Sequence, residues 1–243
     1  MMIGKLKKIY LRALFRPRFL AIFLNPFFFG RRGLYLHMTE LCNHLQGKTL
    51  DIGCGTKPYR DLCRSDTYVG LELDTPKNRK AGYADVFYDG NALPFSANEF
   101  DSILCNQVLE HVFTPEPFLA EAFRVLRSGG NLLLTVPFAW DEHEQPLDYA
   151  RYSSFGIAAL VQRCGFEVVE QRKSVDDIRA VVQLFTTYVH KKTVTQNVYV
   201  NVITTTFLIA PFTILGIILG VVLPKNKDLY LDNILLLRKP SDA

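Results

Sequence analysis

Three acids follow short apolar runs along this chain: Asp51 in LDIGCGTKPY, Glu72 in YVGLELD and Asp89 in YDGNALPF. Gly53 and Gly55 make a G-x-G turn, which lets a ligand approach the backbone closely while Asp51 offers a carboxylate beside it. A phosphate loop needs G-x-x-x-x-G-K-[ST], and nothing in the chain matches it. A dinucleotide turn needs a third glycine three residues on, where this sequence has Pro58. A carboxylate beside the turn suits a cationic amino-acid tail better than a pyrophosphate. Glu72 is placed to accept both hydroxyls of a ribose. Asp89 is placed to accept an exocyclic amine of adenine, with the backbone N–H of Gly90 or Asn91 on a ring nitrogen.

Such residues work together only if one scaffold brings them to one edge. The apolar runs TLDIG, YVGLELD, ADVFY, FDSILCN and NLLLTVP recur with helical patterns between them, which predicts parallel strands with crossover helices. In PEPFLAEAFRVLRSGG, Phe118, Ala122, Val125 and Leu126 share a helical face, and Gly129-Gly130 is expected to end that helix. An open α/β sheet binds ligands beyond the carboxyl ends of its strands, where all three acids fall.

Taken in order, LDIGCG, YVGLELD, DGNALPF, FDSILCNQVLEHV, EAFRVLRSGGNLLLTVP and RCGFEV resemble the class I S-adenosylmethionine-dependent methyltransferases. More narrowly they resemble a bacterial branch, associated with envelope polysaccharide, in which the fifth strand is followed by a run like HEQPLDYARYS. The resemblance covers roughly residues 48–170. It implies a Rossmann-like α/β sheet, mostly parallel with a late antiparallel strand, and S-adenosylmethionine as cofactor. It places Asp51, Gly53, Cys54 and Gly55 at the methionine end, Glu72 at the ribose, Asp89, Gly90 and Asn91 at the adenine, and Asn106 and Gln107 beside the cofactor. Lys57 stands where many members carry a third glycine; Lys57 or Arg60 either pairs with the methionine carboxylate or is a solvated cation.

The run DEHEQPLDYARYS, residues 141–153, is the candidate acceptor loop. Methyl transfer from a sulfonium is an in-line displacement, so alignment and exclusion of water matter most, and a base is needed when the acceptor is a neutral hydroxyl. His143 is the candidate base, with Glu144 or Asp148 orienting its ring; a substrate-contacting or structural histidine are the alternatives. Tyr149, Arg151 and Tyr152 are candidate acceptor contacts, although Arg151 has Asp148 within reach as a partner. His111, in LEHV, reads as a packing or loop-fixing residue.

Charge is unevenly distributed. Residues 1–39 hold eight basic residues (Lys5, Lys7, Lys8, Arg12, Arg16, Arg18, Arg31, Arg32) and no acid, leaving 20 of the 28 basic residues against all 24 acids elsewhere. Interleaved with Leu6, Ile9, Tyr10, Phe15, Phe19 and Phe23, this arm has the composition of a helix on an anionic membrane surface rather than a nucleic-acid contact. Arginines interrupt its apolar run, so it does not read as a signal peptide. The five cysteines show no metal-ligand spacing, and no metal is expected.

Residues 203–223 carry no charge over 21 positions, long enough to cross a hydrocarbon layer of roughly 30 Å. The following DLYLDNILLLRKP reads as the late strand, which a single crossing would carry to the wrong side. A hairpin insertion is therefore expected, broken near Pro211 or partnered by IRAVVQLFTTYVH, residues 178–190. A buried helix or a single span are the alternatives.

The expected organisation is a basic arm (1–39), a cofactor-binding core (40–175), an apolar helical insertion (176–227) and a final strand (228–243). The expected function is methylation of a hydroxyl on a lipid-linked sugar or envelope glycan at the cytoplasmic face of a bacterial membrane. The competing readings are a lipid or prenylated-quinone acceptor, and a cofactor-binding scaffold without turnover. Nucleic acid is not an expected partner, and a homodimer is a candidate assembly.

Overall fold

The computed structural model describes residues 14–241. The basic residues Lys5, Lys7, Lys8 and Arg12 and their apolar neighbours lie outside that range. The chain divides into two compact units.

The first unit comprises Met38–Phe138, Glu142–Arg172 and the residues from Asn233 onward. Its strands are β1 (Gln46–Ile52), β2 (Arg64–Leu73), β3 (Val86–Tyr88), β4 (Phe100–Asn106), β5 (Leu126–Pro137), β6 (Glu167–Ser174) and β7 (Asp232–Arg238), in the spatial order β3-β2-β1-β4-β5-β7-β6. β1 pairs in parallel with both β2 and β4, aligning Leu50 with Val69 and Ile103. β7 is antiparallel to β5: Ala139 donates to the carbonyl of Leu231 at one end, and Gly129 and Lys239 pair at the other. Leu50, Ile52, Leu71, Phe100, Ile103 and Leu134 form the centre of a continuous core. Because β2 and β3 lie on one side of β1 and the later strands on the other, the chain reverses direction across the sheet between β1 and β4. The crevice beyond that reversal is where open α/β sheets bind ligands.

The intervening helices follow their local signals. α2 (Pro76–Ala81) starts at Thr75, whose hydroxyl accepts from the N–H of Asn78, and stops at Gly82 in the left-handed conformation. α3 (Pro115–Val125) buries Phe118, Leu119, Ala122 and Val125. It ends at Val125, four residues before the expected stop at Gly129-Gly130. Extended backbone begins at Leu126, and Gly129 at φ +75° lies within β5, pairing with Lys239. Pairing of Leu126 with Phe100 on β4, and of Gly129 and Gly130 with Lys239, overrides the helical pattern there. α4 (Ser154–Arg163) is capped by the hydroxyl of Ser153.

The second unit gathers the described residues up to His37, Ala139–Asp141 and Lys173–Asp232. The described part of the arm and the apolar insertion, expected as separate additions, thus belong to one body. It contains a short helical turn at Phe19–Phe23, the start of α1 (Phe28–Leu41), α5 (Ile178–Thr193) and the long α6 (Val198–Val222). Insertion and return meet side by side: Leu231 donates to the carbonyl of Ser174, Asn226 donates to the carbonyl of Asp176, and Lys225 pairs with Asp176. The two ends of the insertion thus lie together. α5 and α6 pack as an antiparallel pair, with the rings of Phe185 and Phe212 at 4.8 Å. A Cβ on Gly216 would meet Val182 at 3.0 Å, and one on Gly220 would meet Arg179 at 2.9 Å, so small residues set the approach.

The helix does not break at Pro211. A π-helical turn at Thr205–Ile209 precedes it and absorbs the register change that its missing N–H imposes. Nor is α6 a core helix, since only 28% of its most apolar window is buried at a mean hydropathy of 2.3. α5 faces inward with Gln183, which accepts from the N–H groups of Phe29 and Gly30 and donates to the carbonyl of Pro26. One buried amide thereby satisfies the first turn of α1.

Candidate active site

β1 delivers Asp51, almost completely buried, to the start of the glycine turn. Its carboxylate accepts from the Tyr68 hydroxyl at 2.7 Å. Burial raises its pKa to about 7, a shift opposed by the Tyr68 hydrogen bond and reinforced by nearby Glu72. The backbone then passes through left-handed conformations at Gly53 (φ +67°) and Gly55 (φ +49°). A Cβ on Gly53 would lie 2.4 Å from Val108 Cγ2, whereas one on Gly55 would project into open space. The first glycine is required by packing; the second leaves a bare face. Cys54 is buried, and burial pushes its thiol up to about 12, so it is a packing residue of the turn and not a nucleophile.

Glu72, near the end of β2, is tied to this turn. One oxygen accepts from the N–H of Gly55 at 2.7 Å and the other from the side-chain amide of Asn78 at 3.1 Å. Each oxygen keeps a further lone pair, which fits the ribose hydroxyls. Lys57, in the left-handed conformation at φ +53°, does not extend toward a ligand. Its ammonium is 2.5 Å from Asp85, which also accepts from the N–H of Gly70. Lys57 is therefore not a solvated cation: it pins the back of the turn. Arg60 lies over the ring of Tyr68 at 5.9 Å.

Asp89 is exposed and folds onto its own turn, accepting from the N–H of Asn91 at 3.0 Å and its amide at 2.9 Å, with Gly90 at φ +91°. Asn106 closes β4 and accepts from the Thr135 hydroxyl at 2.9 Å. Gln107, at φ +56°, donates from backbone and side chain to Thr135. Thr135 is thus the hidden fixture of this edge.

The acceptor loop is anchored by Asp148. Its side chain is only 3% exposed and is held by both guanidinium nitrogens of Arg151 at 2.6 Å, with the N–H of His143 donating at 2.9 Å. Arg151 holds its carboxyl far below the usual range. His143 Nδ1 lies 3.2 Å from the same carboxylate, so Asp148 rather than Glu144 orients the ring. Glu144 turns away to Lys77 at 2.9 Å, which lowers its pKa. With Nδ1–H directed at Asp148, the proton-accepting lone pair of His143 is on Nε2.

His111 packs edge to face on His143 with ring centroids 4.8 Å apart. It donates Nδ1–H to the carbonyl of Leu147 at 2.7 Å, which confirms a loop-fixing contact, and it lies on a short turn, Leu109–His111, rather than on a helix. Burial lowers its pKa, so it is neutral near pH 7. Glu110, fully buried, completes a trio with these histidines in which one ligand atom from each lies within 4.8 Å of the others. Tyr149 is exposed and stacks on exposed Phe113 at 5.3 Å. Tyr152 packs against the core instead, and burial raises its hydroxyl to about 12.

The sequence reading did not single out Tyr68, Asp85, Glu110 or Thr135. Glu110 alone had a local signal, being adjacent to His111 in LEHV.

These features occupy one sheet edge in the order set out above. Residues 50–134 match the methyltransferase domain family. The fold is that of the class I methyltransferases. A putative methyltransferase from Bacillus halodurans matches 85% of this chain and 98% of its own at 16% identity, with a TM-score of 0.53. Phosphoethanolamine N-methyltransferase 2 of Haemonchus contortus, solved with S-adenosyl-L-methionine, matches 85% of this chain and 53% of its own at 15% identity, with a TM-score of 0.54. At these identities the likeness establishes the fold.

Among curated proteins, a fatty-acid O-methyltransferase of Mycolicibacterium smegmatis is 31% identical over 161 residues, covering 60% of this chain and 58% of that protein. A demethylmenaquinone methyltransferase of Renibacterium salmoninarum is 33% identical over 95 residues, covering 36% and 40%. An uncharacterised Methanocaldococcus jannaschii protein is 33% identical over 92 residues, covering 37% and 45%. The chain thus spans roughly half the length of these relatives.

S-adenosylmethionine is the cofactor that fits this turn. The open face at Gly55, the buried Asp51 carboxylate and the two-pronged Glu72 form a cradle that a Cβ at position 55 would enter.

Proposed function

We propose that this chain is a methyltransferase that uses S-adenosylmethionine to O-methylate an acceptor presented at a membrane, with a hydroxyl of a lipid-linked sugar or envelope glycan as the acceptor group. The observation that carries the reading is His143, whose Nδ1 lies 3.2 Å from a buried, arginine-held carboxylate, which assigns the role of base to Nε2. The cofactor supplies an electrophilic methyl group on a sulfonium. Asp51 balances that positive charge, Glu72 holds the ribose and the Gly53–Gly55 backbone permits close approach. His143 removes the hydroxyl proton as the acceptor oxygen attacks, and Asp148 with Arg151 keeps its ring in one tautomer. A fatty carboxylate is already ionised and would not need that base, and a carbon nucleophile would depend on it less. The exposed Phe113–Tyr149 pair supports a sugar acceptor by offering aromatic faces to a pyranose ring.

Membrane attachment and a cytoplasmic location are part of the proposal. They are supported by the exposed apolar face of the helical unit, where Phe207 is 77% and Val221 83% exposed, and by Lys191, Lys192, Lys225 and Lys227 at its ends. A second reading, a lipid acceptor, is favoured by the names of the fatty-acid and demethylmenaquinone relatives. Label from methyl-labelled cofactor, followed in a membrane extract, distinguishes the two. Recovery in released sugars supports the glycan, and recovery only in solvent-extracted lipid supports the second reading. His143→Ala should abolish transfer to a hydroxyl while leaving cofactor binding intact.

A further inference from the structure

The helical unit contains a cavity of about 290 Å³ that shares no residue with the glycine turn or the acceptor loop. The volume is close to the lower end for small-molecule sites. Its walls are mostly apolar, with Leu24, Phe27, Val194, Val198 and Val202 among them, and His190, Asn201 and Thr205 add polar groups. Among the described residues Arg31 is the only arginine or lysine in the lining, which contains no described Asp or Glu. Its guanidinium lies over the Phe15 ring at 4.5 Å, and among the described residues no carboxylate pairs with it. The nearby polar Asn201 is already committed, accepting from the N–H of Thr195 and donating to its carbonyl, both at 2.8 Å. A half-buried guanidinium without a counter-ion at the wall of an apolar cavity is complementary to an anion carried on a hydrocarbon chain.

We propose that this cavity binds one chain of an anionic amphiphile, with the hydrocarbon among Leu24, Val198 and Val202 and the anionic head on Arg31. The site goes beyond the methyl-transfer reading and is independent of it. No turnover is needed to test it, so the two fail separately.

The protein carries its own reporter. Trp140 is the sole tryptophan, and its ring lies 5.9 Å from that of Phe27, which lines the cavity and packs edge to face on His190 at 5.1 Å. The experiment titrates the full chain with 9,10-dibromostearate, whose bromines quench tryptophan at contact range, and with its methyl ester. The expected result is saturable quenching at one equivalent, about tenfold or more weaker for the uncharged ester and for Arg31→Gln, and largely restored in Arg31→Lys. Val202→Phe, which fills the cavity, should weaken binding of the acid with its head contact intact. Non-saturable quenching, or equal affinity for acid and ester, would overturn the proposal. So would undiminished binding by a folded Arg31→Gln. If Arg31→Gln does not fold, the acid-to-ester comparison on the wild type and the Val202→Phe titration decide the matter.

Discussion

Gly53 and Gly55 both have positive φ, but only one of them is crowded, and this difference yields a quantitative prediction. Placing alanine in the left-handed conformation costs roughly 1–2 kcal/mol at either position. At Gly55 nothing lies within 4 Å of the added methyl, so the cost ends there. At Gly53 the methyl would sit 2.4 Å from Val108 Cγ2, and overpacking of this kind adds about 1–3 kcal/mol. Val108 is β-branched and cannot swing aside without leaving its rotamer. Gly53→Ala should therefore destabilise the protein by about 3 kcal/mol, lowering the melting temperature by ~6–12 °C, against about 1 kcal/mol for Gly55→Ala. Thermal and urea melts measure both, and adding Val108→Ala should recover the overpacking part, seen as a favourable coupling of ~1–2 kcal/mol in a double-mutant cycle. Cofactor affinity should show the opposite ranking relative to stability, since the methyl of Gly55→Ala covers the face proposed to receive the ligand. Equal destabilisation by the two alanines, or no coupling with Val108, would refute the argument.

Further predictions follow from the same geometry. Asp148→Asn should slow transfer about 10²–10⁴-fold with cofactor affinity unchanged, because the His143 tautomer and Arg151 both lose their anion; single-turnover rates beside equilibrium binding check it. Asp51 has a folded pKa of about 7, above its unfolded value, so its contribution to stability is present at low pH and is lost as pH rises from about 4 through 7. A bound sulfonium favours the ionised carboxylate, so cofactor affinity should rise between pH 6 and 8, and Asp51→Asn should flatten that rise in a calorimetric titration series. Dialysis against a chelator should leave turnover unchanged, because proton removal by His143 needs no ion; loss of activity restored by one divalent ion would make Glu110, His111 and His143 a metal site. Phe207→Asp and Val221→Asp should weaken sedimentation with anionic vesicles by at least tenfold each without altering the melt, given the exposure of both side chains.

The parts of this structure visible in the sequence are those specified by neighbours in the chain. Alternating apolar runs announce β1, β2 and β4, and the acids that follow them mark the sheet edge, because a strand's side-chain period is local. The Asp148–Arg151 pair, three residues apart, is legible for the same reason. What was hidden depends on contacts across the chain. Lys57 meets Asp85 28 residues away, and Lys77 captures Glu144 across 67, so neither the pinned turn nor the loss of Glu144 from His143 leaves a local trace. The early end of α3 has the same origin, since its last expected turn is taken by pairing between β5 and Lys239. Pro211 looks like a break in isolation, but the π-helical turn before it keeps α6 continuous, and that turn depends on packing that composition does not encode.

The central claim is methyl transfer from S-adenosylmethionine, and it is tested most directly by incubating the purified protein with methyl-labelled cofactor and a membrane extract. Wild type should move label into the extract with one equivalent of S-adenosylhomocysteine formed per methyl, and Gly53→Arg, which blocks the turn, should move none. Tight cofactor binding by the wild type with no label transferred to any fraction would contradict the account and leave a cofactor-binding scaffold in its place.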